Sequence, residues 1–289
     1  MGQWQSQGQS QGQSQGQGQW QWQTTGETPY LTCELLQDWP HGFFSCQSWP
    51  QTPSGLSPLL APRAEVYRVK QVHGNCVLRT PELSPAPMAA EQMPGSGSSA
   101  VGQTLAEADG ILAIAPNQSV WTCSADCTPA LLGDVRTGMA AAVHAGWRGT
   151  AAQILPEAVA QFVAQGSQLG DLRVALGPAI AGQVYQVDHA TAAQVGATLL
   201  NTADQATLLL TLQGLANPPI LPDPAEGKVR LDVRRINVLQ LIGLGLEAEQ
   251  LAVAPHCTYQ EPEQFFSYRR TGEKKVQWSG IVSGVPALA

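Results

Sequence analysis

Two stretches of the chain concentrate residue types that bind metals or move protons. Trp121-Thr-Cys-Ser-Ala-Asp-Cys-Thr-Pro129 holds two thiols and a carboxylate, and Ala140-Ala-Ala-Val-His-Ala-Gly-Trp-Arg-Gly149 holds an imidazole and a guanidinium. Between them, Gly133-Asp-Val-Arg-Thr-Gly138 has flanking glycines that mark a turn between two apolar segments. An antiparallel hairpin centred between residues 135 and 136 sets Cys127 directly opposite His144, with Cβ atoms about 4.5–5.5 Å apart. Two side chains so placed can share one ion. A second imidazole, in Val72-His73-Gly74, stands at the end of an earlier strand, where glycine lets the backbone turn. Two imidazoles and one thiolate leave zinc one open position, the arrangement of a catalytic site. That position takes water, whose pKa the metal lowers, or a substrate oxygen, which it polarises. Cys123 is a reserve ligand, because alternation along a strand puts it on the same face as Cys127. Asp126 and Arg148 adjoin ligands and are candidates for supporting or anion contacts. Other readings of the same residues stay open at this point. A histidine at a strand end is ordinarily a surface or hydrogen-bonded core residue, and a cysteine in an apolar strand is ordinarily a small hydrophobe. The pairing also suits a hydrolase with Cys127 as nucleophile and His144 as base.

Such a site needs a scaffold that brings residue 73 to a hairpin far along the chain. Residues 66–73 alternate with β-branched character and predict a strand ending on His73. Residues 108–114, 120–127, 139–144, 172–176 and 251–254 predict further short strands. Residues 150–164, 188–200 and 232–242 predict helices, the last with Asp232 as N-cap. Pro156 inside the first requires a kink or a later start. Residues 201–226 predict a surface excursion, and residues 81–102, rich in Pro, Ser, Gly and Met, a loop. Strands outnumber helices and do not alternate with them regularly. The expected fold class is therefore α+β, with mixed sheets covered by helices rather than a doubly wound parallel sheet. From Gln3 to Gln23 every odd position is Gln, with Gly, Ser or Trp between. Residues 1–28 are accordingly expected to be a disordered tail outside a single domain spanning 29–289.

A chain of 289 residues, 43% of them hydrophobic, can bury a substantial core. Its net charge of -7 gives no general attraction for polyanions, so nucleic acid is not an expected partner. No apolar run approaches the roughly 20 residues of a membrane helix, and the N-terminus lacks the blocks of a signal peptide. No membrane association and a cytoplasmic location are expected. The six cysteines are spread thinly and read as reduced thiols or ligands rather than a disulfide framework.

The order Gln71-Val-His-Gly74, Ala108-Asp-Gly110, Ala125-Asp-Cys-Thr-Pro129, His144-Ala-Gly-Trp-Arg-Gly149, Leu176-Gly-Pro178 and Phe265-Phe-Ser-Tyr-Arg-Arg270 resembles the YfiH family, called polyphenol-oxidase or laccase-domain proteins and now regarded as purine nucleoside phosphorylases. The resemblance implies an α/β/β/α sandwich with zinc on His73, Cys127 and His144. It implies phosphorolysis of adenosine, inosine, guanosine and methylthioadenosine, together with deamination of adenosine. Its expected partners are purine nucleosides and phosphate, acted on by a monomer or homodimer. His73, Cys127, His144 and Arg148 are then the expected catalytic residues, and Gln71, Asp126, Arg148 and Phe266 the substrate contacts. One departure stands out: family members often carry a Ser-Leu-Asn-Leu-Gly segment and a following Asn-Arg before the first zinc histidine. Neither follows His41-Gly-Phe-Phe44 here, leaving Arg63 or Arg68 as stand-ins. Competing classes are a multicopper polyphenol oxidase, which the five histidines supply poorly, and a non-catalytic metal-binding module associating through the Gln-rich tail.

Overall fold

Alternation along the central strands sorts side chains into separate cores. The computed structural model describes residues 20–86, 105–200, 202 and 204–284. Its strands are β1 (Trp20–Thr25), β2 (Thr28–Cys33), β3 (His41–Phe44), β4 (Glu65–Tyr67), β5 (Val77–Arg79), β6 (Gly110–Ala113), β7 (Gln118–Ser124) and β8 (Thr128–Asp134). There follow β9 (Ala140–Ala145), β10 (Leu172–Leu176), β11 (Gln186–Asp188), β12 (Ile220–Pro222), β13 (Lys228–Leu231), β14 (Leu251–Val253) and β15 (Gln277–Val282). The helices are α1 (Pro53–Leu60), α2 (Trp147–Ala151), α3 (Ile154–Ala164), α4 (His189–Gly196), α5 (Gln205–Gln213), α6 (Val233–Gly243) and α7 (Tyr268–Thr271).

Two mixed six-stranded sheets, ordered β1-β2-β3-β15-β7-β4 and β14-β10-β8-β9-β6-β5, lie face to face. Phe43, Val120 and Ile281 of the first meet Ile111, Leu131, Ala142 and Ala175 of the second. On the far side of the second sheet, Leu132, Val143 and Val174 pack against Leu155 and Phe162 of α3 and Leu241 of α6. On the far side of the first, Phe44, Val66 and Trp121 pack against Leu56 of α1. The layers thus run α/β/β/α. A small antiparallel sheet, β11-β13-β12, forms a satellite core with α4 and α5.

Several boundaries differ from expectation. The strand predicted over residues 66–73 stops at Tyr67, and His73 instead sits in a bend with φ 62°. The strand predicted over 120–127 stops at Ser124, so Cys127 lies in a bend where Asp126 has φ 94°. The helix predicted over 150–164 is two helices, α2 and α3, broken at Gln153 with φ 60°. Pro156 therefore falls in the first turn of α3, where its missing N–H costs nothing. Asp232 caps α6 as expected, accepting from the Arg235 N–H. The supposed excursion over 201–226 contains α5, whose Leu208, Leu209 and Leu212 are buried with Ala192 and Val195 of α4. The end of the expected tail is folded. β1 pairs with β2 along its whole length, and Trp20 is buried 5.4 Å from the ring of Phe43. The remaining residues of that tail, 1–19, and residues 87–102 of the expected loop lie outside the described residues.

Candidate metal centre

β8 and β9 form the predicted hairpin in a shifted register. Gly133 pairs with Ala140 and Pro129 with His144, so Cys127 does not face His144 across the ladder. The turn occupies residues 135–139, and the Asp134 carboxylate accepts the N–H groups of Arg136 and Thr137. Gly133 is not a turn residue. It leaves room for Trp39, whose ring would lie 2.6 Å from any added Cβ. His144 shares a face of β9 with Ala140 and Ala142, and that face looks into the gap between the sheets. At the end of that gap Cys127 arrives from the bend after β7 and His73 from the bend after β4. The ligand atoms of His73, Cys127 and His144 all lie within 4.8 Å of one another. The two imidazoles meet edge to face, with centroids 4.8 Å apart. His144 is buried, Cys127 half-buried and His73 exposed, so the cluster opens to solvent on one side. The convergence depends on Gly146, where an added Cβ would lie 2.7 Å from Cys127 Sγ and 3.5 Å from His73 Cδ2.

A fourth residue ties His73 and His144 together and was not among the predicted site residues. Asp109 is buried at the start of β6. Its carboxylate accepts the N–H groups of Val72, His73 and Gly74 at 3.2, 2.9 and 2.7 Å, fixing the bend that carries His73. The same carboxylate lies 2.9 Å from His144 Nδ1, which leaves Nε2 of that ring as the donor atom for a metal. The motif Ala108-Asp-Gly110 was the sequence signal available for it.

Burial pushes the Cys127 thiol up, but the adjacent His144 and His73 imidazoles outweigh it and hold the thiol at about 6. Burial likewise opposes a charge on His144, yet Cys127 and Asp109 raise it to about 9. Without a metal the two form a thiolate–imidazolium pair, the protonation state that readies sulfur for a cation.

The other predicted residues divide. Arg148 is exposed on α2, its guanidinium 4.3 Å over the Trp147 ring. Asp126 clamps two segments, accepting from Thr258 Oγ1 at 2.8 Å and from the Arg269 N–H at 2.7 Å. Gln71 is occupied by β7. Its amide donates to the Cys123 carbonyl and accepts from the Cys123 N–H, both at 2.8 Å. Phe266 packs edge-on against Trp49 with Lys275 over its ring. Cys123, the reserve ligand, is buried in the outer core with Trp121 and Trp278, apart from the cluster. Among the stand-ins, Arg68 lies over Trp278.

Among the described residues, one His-Cys-His cluster at the end of the gap between the two sheets has the donors to hold a single metal ion. The chain matches the family described as "Multi-copper polyphenol oxidoreductase laccase" over residues 56–283 and belongs to it. It is 52% identical over 264 residues to purine nucleoside phosphorylase slr1573 of Synechocystis sp., covering 90% of this chain and 96% of that one. A protein named adenosine deaminase RL5, from an unknown prokaryotic organism, is 32% identical over 149 residues, 52% of each chain. The fold is similar to that of the hypothetical protein YfiH of Bacillus licheniformis, at TM-score 0.70 and 22% identity, covering 91% of this chain and 98% of that one. YlmD from Geobacillus stearothermophilus matches with the same values.

Proposed function

We propose that this chain is a zinc-dependent purine nucleoside phosphorylase, acting on adenosine, inosine, guanosine or methylthioadenosine in the cytoplasm, with adenosine deaminase activity at the same centre. The observation that carries the reading is the convergence of His73, Cys127 and His144 in a chain so similar, end to end, to a relative named for phosphorolysis. The donor set fits zinc. Two imidazoles and a thiol held low enough to ionise stand together, and one imidazole is steered by a carboxylate. Tetrahedral zinc would hold such donors roughly 3.3–3.7 Å apart, and the three ligand atoms already stand within 4.8 Å of one another. A multicopper centre would need more imidazoles than gather here. His41 is bound to Trp39 O and Cys33 N–H, His256 to Glu261, and His189 opens α4. All six cysteines are free, in keeping with a reducing compartment, and among the described residues no helix is long and apolar enough to cross a membrane.

In phosphorolysis a phosphate oxygen bonds to the ribose anomeric carbon as the glycosidic bond breaks, and the purine leaves with the bonding pair and takes up a proton. When bound, zinc supplies Lewis-acid charge stabilisation. The protein's own part is positional. Asp109 fixes the tautomer of His144 and the bend of His73, and the Arg148 guanidinium offers a fork of donors to an anion at the open side.

The test is to incubate metal-quantified protein with adenosine, with and without phosphate. Adenine formed only with phosphate establishes the phosphorylase, and inosine formed in either case the deaminase. Neither product from zinc-loaded protein overturns the reading. His73→Ala, Cys127→Ala and His144→Ala should each lose zinc and both activities, and full phosphorolysis by a folded, metal-free variant would defeat the metal assignment.

A further inference from the structure

Two arginines beside the centre share an unusual setting. Arg148 lies over Trp147, and Arg269 lies over Tyr185 with its Cζ 4.7 Å from the ring centroid. Both arginines are exposed, and among the described residues neither guanidinium is paired with a carboxylate. Their supporting rings, Trp147 and Tyr185, both pack against the satellite core. Each arginine is tied to a ligand segment. Arg148 follows His144 by one turn of chain, and the Arg269 N–H is bound by the carboxylate of Asp126, the neighbour of Cys127. Arg269 Nη1 also donates to the Gln186 carbonyl at 2.9 Å, which fixes the direction of its plane. The Tyr185 hydroxyl lies within electrostatic reach of Cys127, Arg269, Asp126 and Arg148, and burial pushes it up to about 12, so it stays a neutral donor. Asp126 is the acidic group facing this patch, and its two oxygens are taken by Thr258 and Arg269.

We propose that Arg148 and Arg269, each held over an aromatic ring, form a two-armed clamp for a phosphate dianion, with the Tyr185 hydroxyl as a third donor. A stacked guanidinium keeps its edge free for bidentate contact with a phosphate, and its orientation is fixed before the ligand arrives. In a chain of net charge -7, unpaired cations gathered at one opening create a local field for an anion that the rest of the surface repels. The clamp deepens the phosphorylase reading, on which its biological role rests, by assigning Arg269 and Tyr185 to the phosphate side of the site.

The test is a calorimetric titration of the zinc-loaded, full-length protein with inorganic phosphate, which needs no turnover, beside steady-state kinetics with adenosine. Arg269→Gln and Arg148→Gln should each weaken phosphate binding by about tenfold or more and raise the phosphate KM alike. Affinity for adenosine should change less than twofold. Thermal melting of both variants checks that they fold, and Arg269→Gln retains the backbone bond to Asp126. Unchanged phosphate affinity in Arg269→Gln, with adenine production intact, overturns the clamp and leaves the phosphorylase reading standing. Phosphate binding that depends on both arginines, in a protein that forms no adenine, supports the clamp and removes the phosphorylase reading. A wild-type protein that binds no phosphate overturns the clamp.

Discussion

Asp109 is the residue on which the geometry of the centre turns, because one buried carboxylate accepts three backbone N–H groups and a ring nitrogen. Its partners are distant in sequence, so no spacing rule exposes it, and only the fold shows that it joins two ligand segments. Asp109→Asn keeps the size and removes the charge. Zinc affinity should fall about 10–100-fold, as for other partners of metal-bound histidine, measured by chelator competition. A change below threefold would reduce Asp109 to packing. Cys127 makes a second prediction at this scale. In the metal-free protein its thiol sits at about 6 rather than the ordinary 9.0, so it remains thiolate as pH falls toward 6. Alkylation by iodoacetamide, followed by peptide mapping, should reach half its plateau rate near pH 6. Cys123, pushed up to about 12 by burial, should stay unmodified. The sign for stability follows. The lowered thiol contributes stabilisation that is full above its unfolded value and lost as pH falls through about 6. His144, raised, contributes below about 6.5 and loses that contribution as pH rises through about 9, so the pair acts together between these limits.

At the scale of elements, the hairpin shows what sequence patterning reaches and where it stops. Placing the turn between residues 135 and 136 predicted Cys127 opposite His144, whereas Pro129 holds that position. The error is two residues, and an even slip leaves each side chain on its own face of the sheet. His144 therefore keeps its expected face, whereas Cys127 lies in the bend before β8 and takes no position in the ladder. The register was illegible because Gly133, read as a turn glycine, is a packing glycine under Trp39, a contact made across the sandwich. The broken helix at Gln153 was half legible, since Pro156 announced a later start while the left-handed residue before it carried no mark. The leucines of α5 were hidden for another reason: the helix has apolar residues on several sides and little periodicity to read. Between β9 and α2 the chain must pass Cys127 without a side chain. Gly146→Ala puts its Cβ 2.7 Å from Cys127 Sγ, so the thiol or the turn has to move. Zinc content by atomic absorption should drop below a tenth of wild type while far-UV circular dichroism is unchanged. Full zinc occupancy would show that the turn yields without disturbing the ligands.

For the whole molecule, the question is where the folded unit begins. Composition alone assigns residues 1–28 to a tail, because the Gln repeat runs to Gln23 without a change in pattern. Residues 20–28 are nevertheless folded, and the reason lies in Trp20 and Trp22, two of the three tryptophans set into the repeat. Trp20 is 7% exposed and packs on Phe43, while the more exposed Trp22 stands 5.6 Å from His256 and 6.0 Å from Phe265, so aromatic packing recruits the end of the repeat into the first sheet. Two truncations separate these views. Removing residues 1–19, which leaves every described element in place, should leave phosphorolysis intact and denaturant stability within about 0.5 kcal/mol. Removing residues 1–25 also deletes β1, uncovers the edge of β2 and empties the site of Trp20. Emptying a buried tryptophan site by itself costs about 3–5 kcal/mol, so the midpoint of urea unfolding should fall sharply. Activity below that midpoint should persist, because β1 lies four strands from β7, beyond which the Cys127 bend begins. If both truncations unfold at the same urea concentration as the full chain, β1 is an ornament on the sheet. If the shorter truncation already costs several kcal/mol, the domain begins within the first 19 residues.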